Sequence, residues 1–362
     1  MLGGTGERRS RALSLLSVWC AALALGCSGS PGPEELESCT AATSGSWTQL
    51  GLEGHWVTAL LDTPWGVFAG TGDSGMFRYD PGPGQWEPLG LDHAVVSAML
   101  FVPGPVPRLL VAMRPHAEEQ TTAAVFATED AAQTWVPWDG GLAERHGNRQ
   151  WAFSLARDPG EPKRLYMGQS ASVLRSGDGG RTWQYVYGSA DLFGRGVNAI
   201  VISPNRDGRV WTGAEAALGN ALVLRSEDWG DSWEPIIPTL GSENAVFALA
   251  VDADRPARLW AGVRGGVSRS GDGGRSWEYV LEVDGLVMSL LSGAGCLYAI
   301  GGTFSDAGSD LAVYRSGDSG TTWSMIPTPA GVPGSDVAVQ DSSGRLLVGI
   351  VSPSGGVWRF VP

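Results

Sequence analysis

The sequence predicts an all-β protein made of repeated four-stranded units. Glycine (53 of 362 residues) and tryptophan (16) are abundant, and short apolar runs alternate with turn clusters. The stretch 175–183, which ends in tryptophan, returns with few changes at 269–277 and 315–323, and more loosely at 225–233 and 127–135. The tryptophans that end these copies are 44 to 50 residues apart. A repeat of that length with several short strands is typical of a β-propeller.

Each repeat has the same internal order of strands. An alternating apolar strand, such as residues 199–202, is followed by a Pro/Asp/Arg-rich turn and a second strand, such as residues 210–213. A third strand leads into the repeated turn, and a fourth strand begins at the tryptophan, as in residues 183–186. Four strands per repeat correspond to one propeller blade.

Two further units complete the predicted ring. Residues 66–89 contain three strands around a degenerate turn, and residues 336–360 supply three more strands. We expect the missing fourth strand at residues 46–51, which carry Trp47. The sequence therefore predicts a single propeller of seven four-stranded blades over residues 45–362, closed by this N-terminal strand. Six and eight blades are alternatives, because two of the repeats are degenerate.

Residues 1–26 are predicted to be a signal peptide. Three arginines precede an apolar run of about signal-peptide length, which is too short to span a bilayer comfortably. Gly26-Cys27, followed by Ser, Gly and Pro, resembles a bacterial lipoprotein signal, so we expect a lipid on Cys27 and a flexible tether over residues 27–44. Ordinary signal cleavage nearby is the alternative. The expected location is the cell envelope, as an outer-membrane or surface lipoprotein, or the periplasm or medium.

The net charge limits which partners the protein can bind, and the cysteine content limits which disulfides it can form. A formal charge of −13 argues against nucleic acid, because neutralising phosphates needs a basic face. Cys39 and Cys296 remain for the mature fold, and in an exported protein they either form a disulfide or stay as two separate thiols. We expect no cofactor, a monomer, and membrane contact only through the lipid.

The repeat Ser-x-Asp-x-Gly-x-Thr-Trp resembles the Asp-box, or BNR repeat, of sialidases, xyloglucan-degrading endoglucanases, sortilin-type receptors and photosystem II assembly factors. We expect each aspartate to accept backbone N–H bonds in a tight turn and each tryptophan to pack between strands or blades. Calcium binding is an alternative, but each turn offers only one or two oxygens. The positions are Asp130, Asp178, Asp228, Asp272, Asp318, Trp135, Trp183, Trp233, Trp277 and Trp323.

Ligand contacts are expected on the face opposite these turns, here called the axial face, where blade-to-blade loops and second-to-third-strand loops lie. All four histidines (55, 93, 116 and 146) are predicted there, although exposed connections are polar in any protein. Their spacing carries no metal-ligand motif. The candidate ligand-binding residues are His55, Trp56, His93, Arg149, Trp151, Arg195, Asn198, Asn244, Arg264 and Asp284.

The sequence predicts a non-catalytic propeller at the cell envelope that recognises a protein or a glycan through its axial face. The alternative is an exported glycoside hydrolase of sialidase-like or endoglucanase-like type. The sialidase resemblance implies an arginine cluster, for which Arg149, Arg195 and Arg264 are available, and a tyrosine nucleophile, but no tyrosine falls clearly on the rim. The endoglucanases use two aspartates between two propellers, whereas one propeller is predicted here. No catalytic residue is therefore assigned.

Overall fold

A computed structural model of the chain shows an all-β fold arranged as a β-propeller, as predicted. All of the regular secondary structure in the described residues is β-strand. The predicted signal peptide (1–26) and tether (27–44) lie outside the described residues. The structure describes residues 45–115, 123–140, 142, 151–170, 172–188, 196–215, 221–236, 245–293, 295–305, 308–350 and 355–362.

The strands in the described ranges form six hydrogen-bonded sheets, four of which are meanders of four consecutive antiparallel strands. Their strands, numbered in chain order, are β2 (Val57–Thr63), β3 (Gly66–Thr71), β4 (Met76–Asp80) and β5 (Gln85–Pro88); β6 (Ala94–Val102), β7 (Arg108–Pro115), β8 (Val125–Thr128) and β9 (Val136–Pro137); β10 (Ala152–Arg157), β11 (Leu165–Gln169), β12 (Ser172–Ser176) and β13 (Gln184–Gly188); and β14 (Val197–Ile202), β15 (Val210–Glu215), β16 (Ala221–Ser226) and β17 (Glu234–Ile236).

A fifth sheet joins the two ends of the described chain. Its strands, in hydrogen-bonded order, are β1 (Ser46–Gly51), β26 (Val357–Val361), β25 (Leu346–Ile350) and β24 (Ser335–Gln340). The antiparallel register places Trp47 of β1 opposite Phe360 of β26, with ring centroids 5.2 Å apart. Residues 46–51 thus form the outer strand beside the last strand of the chain.

The prediction of seven separate four-stranded sheets is wrong, because the sixth sheet has six strands. These are β18 (Val246–Val251), β19 (Leu259–Ser270), β20 (Glu278–Gly293), β21 (Cys296–Ser305), β22 (Gly308–Ser316) and β23 (Ser324–Ile326).

Two long strands account for this merger. β19 pairs with β18 through residues 259–263 and with β20 through residues 264–269. β20 pairs with β19 through residues 278–286 and with β21 through residues 285–293. The hydrogen bonding is therefore not interrupted where a loop would separate two sheets.

Each sheet contributes one innermost strand, except the six-stranded sheet, which contributes β18 and β20, and these strands pack against one another. Their contacts run from β2 through β6, β10, β14, β18, β20 and β24 and return to β2. The close approach needs small residues on the second strands: a Cβ at Gly70 or Gly213 would collide with Val96 or Val246 of the next inner strand. Strands that pack this way surround the central channel of a propeller, and the axial face is the end of the channel at which these strands begin.

Candidate functional site

The repeated turns join third and fourth strands and use their carboxylates to bind the backbone. Asp178 Oδ1 accepts the N–H groups of Arg181 and Thr182, both at 3.0 Å, and Oδ2 accepts the Thr182 hydroxyl at 2.7 Å. Ser176 Oγ donates to Asp178 at 2.8 Å and accepts the Gly180 N–H at 2.8 Å. The bond from the residue four positions later to the aspartate recurs at Asp130, Asp228, Asp272 and Asp318.

These hydrogen bonds keep the turn carboxyls ionised. Bonds from the side chain and backbone of Ser232 lower the pKa of Asp228 to about 2. At Asp272 partial burial raises the pKa, but the bonds from Ser276 outweigh it and the pKa is again about 2. Such groups hold no proton at neutral pH and cannot act as general acids. Among the described residues, no group of three or more His, Cys, Asp or Glu side chains is placed to hold a metal ion.

At the axial face the inner strands form a ring of equivalent β-bulges. In each inner strand, the pairing with the following strand skips one residue, which comes directly after a buried residue and is itself more exposed. A bulged residue leaves the regular ladder, so its side chain can be re-aimed, here toward the channel. The ring residues are Thr58, Ser97, Phe153, Asn198, Phe247, Met288 and Asp336.

Three polar ring residues are engaged in holding neighbouring inner strands together. The Thr58 hydroxyl donates to the Val96 carbonyl at 2.6 Å, and Asn198 Nδ2 donates to the Val246 carbonyl at 3.3 Å. The Ser97 hydroxyl makes the equivalent bond to the next inner strand. Asn198, a predicted ligand residue, therefore has a structural bond of its own.

Arg114 and Asp336 are charged and lack such bonds. The Arg114 guanidinium lies 5.5 Å from the Phe153 ring centroid, and its Nε is buried with no hydrogen-bond partner among the described residues. Asp336 is exposed, but the protein around it displaces part of its hydration and raises the pKa of its carboxyl, and the Arg114 charge partly opposes that shift. Burial likewise lowers the pKa of Arg114 against the opposing effect of Asp336. The two charges therefore influence each other, although no direct ion pair joins them in the described part of the chain.

Aromatic side chains occupy the rim around this channel. Trp56, directly before β2, exposes 46% of its surface, and Phe304, near the end of β21, exposes 43%. The Arg264 guanidinium lies 5.2 Å from the Phe304 ring centroid. Trp151 contacts Phe153 edge-on, with ring centroids 6.3 Å apart. Flat apolar rings beside charged groups are suited to ligands that have both an apolar face and polar edges.

The other predicted ligand residues have different surroundings. His55 Nδ1 lies 3.6 Å from Asp73, and its ring packs against Phe77 at 5.3 Å. His93 packs edge-on against Phe126 at 5.9 Å. Asp284 is exposed within β20. Arg149, Arg195 and Asn244 lie outside the described residues, as do the remaining two histidines, His116 and His146.

The sequence-based candidates did not include Arg114, Phe153 or Asp336. The sequence did contain a signal for Phe153 and Asp336. Aligning the first strands of the repeats places both at the position of Thr58, where Asp336 is the one carboxylate. Arg114 belongs to the next strand and had no comparable repeat position.

No known family model matches the chain. It is 27% identical over 203 residues to an oligoxyloglucan-reducing end-specific xyloglucanase of Emericella nidulans, covering 51% of this chain and 24% of that protein. It is 25% identical over 257 residues to a xyloglucanase of a Paenibacillus species, covering 64% of this chain and 22% of that protein. The chain thus spans about a quarter of the length of these relatives.

Solved structures with the same fold include two kinds of protein. The GH74 xyloglucanase of Xanthomonas campestris superimposes with a TM-score of 0.68 at 18% identity, covering 87% of this chain and 53% of that one. YCF48 bound to a D1 peptide superimposes with a TM-score of 0.59 at 16% identity, covering 93% of this chain and 97% of that one. At these identities the structural likeness shows the propeller fold.

Cys296, at the start of β21, is disulfide-bonded, and its partner lies outside the described residues. The pairing with Cys39, which also lies outside them, stays a prediction. Lipid attachment at Cys27 is a prediction for the same reason. In the described part of the chain, no helix has the length and apolar character needed to cross a membrane.

Proposed function

We propose that this chain is an exported propeller of glycoside-hydrolase type that acts on a β-linked polysaccharide of the xyloglucan class at its axial face. Asp336 is the observation that carries the proposal. This carboxyl is exposed at a bulge position facing the channel, and partial desolvation by the protein around it raises its pKa, which favours the protonated form that a general acid needs at the leaving oxygen of a glycosidic bond. The xyloglucanase relatives support the substrate class, so they favour hydrolysis over the non-catalytic function first predicted.

Each neighbouring group has a part in this proposal. Arg114 donates hydrogen bonds to sugar hydroxyls, and the ring surfaces of Phe153 and Trp151 pack against the apolar face of a sugar. A second carboxylate must activate water or attack the sugar. Asp73, whose carboxylate lies 3.6 Å from His55 Nδ1, is the first residue to test for that part.

The test is release of reducing ends from xyloglucan and from mixed-linkage β-glucan. Asp336→Asn should lower the rate by about 10²-fold or more, the usual worth of a general acid. Asp62→Asn is the matched control: burial also raises the pKa of Asp62, but this residue lies near the opposite end of its inner strand and accepts the Ser342 N–H. A wild-type protein that releases no reducing ends, or an Asp336→Asn variant as active as wild type, contradicts the proposal.

A second candidate is the non-catalytic binding propeller. Its support is the fold of YCF48, which has been solved with a D1 peptide and superimposes on 93% of this chain. The axial face would then hold an envelope protein or a glycan without cleaving it. Saturable binding of xyloglucan or of a peptide with no release of reducing ends identifies this function.

The cellular placement belongs to the same proposal. An acidic, monomeric body exported by residues 1–26 and tethered through a lipid on Cys27 would meet polysaccharide or protein outside the cytoplasm. Labelling with a radioactive fatty acid tests the anchor. Wild type should incorporate the label and Cys27→Ser should not, and an unlabelled wild type contradicts lipid attachment.

We also propose that the six-stranded sheet supplies two of seven ring positions and that β1 closes the ring as the outer strand of the last blade. Two features support this count. The inner-strand contacts pass through seven strands before returning to β2. Among the described residues, the buried apolar side chains form seven clusters, each combining residues of neighbouring blades. In this arrangement the Asp turns of the four clearest repeats each join the third and fourth strands of one blade, as the Asp-box resemblance implies. An experimental structure with six or eight inner strands would contradict it.

A further inference from the structure

We propose that Cys296 is bonded to Cys39 and that this disulfide straps residues 39–44, which precede β1, onto the turn side of the propeller. The strap locks the ring where β1 closes it and keeps the N-terminal tether away from the axial face. The strap itself does not depend on hydrolase activity, whereas its consequence for orientation rests on the lipid proposed for Cys27.

The partner of Cys296 follows from the cysteines that the chain contains. Cys296 is disulfide-bonded, and no other described residue is a cysteine. The sequence has three more, at positions 20, 27 and 39. Position 20 lies in the predicted signal peptide, and position 27 is the proposed lipid site. Cys39 is therefore the partner that is left in the mature protein.

The chain enters the ring on the turn side of the last blade. β1 begins at Ser46, opposite Val361 at the end of β26. Gly45 lies so close to Phe360 that an added Cβ would come within 2.5 Å of its ring. The segment that precedes β1 therefore leaves the ring beside Phe360.

Cys296 borders the same place from the neighbouring blade. It begins β21, whose next residue pairs with Ser316 at the start of the last Asp turn, so Cys296 also lies on the turn side. Cys296 and Trp47 pack against one buried cluster, which contains Phe360. Trp47 also joins the two blades, because its Nε1 donates to the Pro327 carbonyl at 2.8 Å.

The segment between Cys39 and Gly45 can bring the two sulfurs together. Residues 40–44 lie between these two positions, so the chain from one to the other reaches at most about 20 Å. They are Thr, Ala, Ala, Thr and Ser, whose small side chains allow the segment to lie flat on the surface. The start of β1 and Cys296 flank one junction, which is within that reach.

The bond ties ring closure to export. Its formation joins two sulfurs and releases two protons and two electrons, which a thiol–disulfide oxidoreductase outside the cytoplasm accepts as its own disulfide is reduced to two thiols. β1 is an edge strand that pairs with β26 alone. The bond keeps it beside the ring even when its hydrogen bonds open.

The strap also sets which face of the propeller is open to partners. With the bond in place, the free tether after Cys27 is reduced to residues 28–38, and it leaves from the turn side. The axial face lies at the other end of the channel, so it points away from the membrane that holds the lipid. It is then open to polymers that approach from outside.

The first experiment digests the purified full-length protein without reduction and identifies linked peptides by mass spectrometry. We expect the peptide that contains Cys39 to be linked to the peptide that contains Cys296. Two free thiols, a bond from Cys296 to another cysteine, or a bond between two copies of the chain overturns the strap.

The second experiment measures thermal unfolding. Cys39→Ser should lower the midpoint by about 5–15 °C, and reduction of the wild type should lower it equally. Adding Cys39→Ser to Cys296→Ser should lower it no further, because both changes remove the same bond. Ser38→Ala is the matched control and should leave the midpoint unchanged. Cys39→Ser with the midpoint of the wild type overturns the lock.

The third experiment measures energy transfer from a fluorophore on the lipidated protein to an acceptor dye in phosphatidylcholine vesicles. The fluorophore is placed at Arg181 on the turn side or at Asp92 on the axial side, both of which are exposed. Transfer should be about twofold or more stronger from position 181, because a six-residue strand separates the faces by about 20 Å. Equal or reversed transfer overturns the orientation.

These outcomes separate the strap from the other proposals. Protein that does not bind the vesicles contradicts the lipid anchor, and the orientation with it. A strap in a protein that releases no reducing ends contradicts only the hydrolase function. Hydrolysis by a protein with two free thiols contradicts only the strap.

Discussion

Neighbouring sheets are joined on the turn side in two different ways. In one half of the molecule a fourth-strand tryptophan donates to the preceding sheet, as Trp135 Nε1 does to the Leu89 carbonyl at 2.8 Å. In the other half a second-strand aromatic donates to the turn of the following sheet, as Trp211 Nε1 does to the Gly273 carbonyl at 2.8 Å. The first set of donors is Trp47, Trp86, Trp135 and Trp183; the second is Tyr166, Trp211 and Trp260.

The second-strand residue matches the donor that is used at all of these junctions but one, where Trp47 donates to the Pro327 carbonyl although the second strand carries Tyr298. Leu347, Phe68 and Leu110 occupy that position in the first half and have no polar atom, so the tryptophan of the next sheet makes the bond. Where the second strand supplies the donor, the fourth-strand tryptophan turns to its own loop. Trp233 and Trp277 donate to the glycine carbonyls three residues earlier, at 3.1 and 3.0 Å.

The largest expected effect comes from removing a whole aromatic side chain in the half of the molecule where second-strand aromatics are the donors. Trp211 is completely buried, and Trp211→Ala should lower the free energy of unfolding by about 3–5 kcal/mol through the cavity and the lost bond. Denaturant unfolding monitored by fluorescence measures it. A loss below about 1 kcal/mol would show that the neighbouring sheets do not depend on this contact.

A smaller effect is expected when only the hydrogen bond is removed. Trp211→Phe in one half and Trp135→Phe in the other each leave a carbonyl without its donor, at a cost of about 1–3 kcal/mol. The two losses should be similar, because each donor serves one junction between sheets. A large loss in one half and none in the other would contradict the equivalence of the two kinds of junction.

Trp323→Phe should cost least among the aromatic substitutions. Its Nε1 is buried and has no hydrogen-bond partner among the described residues, while Trp260 already donates to the Ser319 carbonyl in that junction. The change removes an unpaired donor, so we expect a loss of no more than about 1 kcal/mol in the same unfolding assay. A loss as large as that of Trp211→Phe would imply a bond that the structure does not contain.

The last prediction concerns the stability that the Asp272 carboxylate supplies, which should decrease as the pH falls. The pKa of Asp272 is about 2, below that of a free aspartate, so its contribution to stability is present above about pH 4 and lost as pH falls through 2. Thermal melts should show Asp272→Asn less stable than wild type at pH 6, with the difference shrinking between pH 4 and pH 2. A constant difference would mean that the carboxylate charge does not matter in the turn.

The repeated turns made most of the fold predictable. The pattern predicted a strand that begins at Trp183, and β13 begins one residue later, at Gln184. The same spacing located the outer strand at Ser46–Gly51. The six-stranded sheet was not predictable, because the Gly265-Gly266 pair that links two halves of β19 looks like a loop in the sequence. Composition cannot show whether an extended glycine pair continues a strand.

The axial site was predictable only as a face. Trp56 and Arg264 were expected there because the sequence predicted loops at both positions, although Arg264 lies within β19. Arg114 and Asp336 lie on strands that are far apart in the sequence. A bulge turns Asp336 toward the channel, and a bulge adds a single residue to a strand without a distinctive residue type. Electrostatic coupling across a ring exists only once the ring has formed.

The most direct test of the proposed axial site is an experimental structure with a bound xyloglucan oligosaccharide. We expect a sugar unit in the channel, with hydroxyls on Arg114 and Asp336 and its apolar face on Phe153. Oligosaccharide bound along the outer strands or on the face of the Asp turns, with the channel free of sugar, would contradict the account.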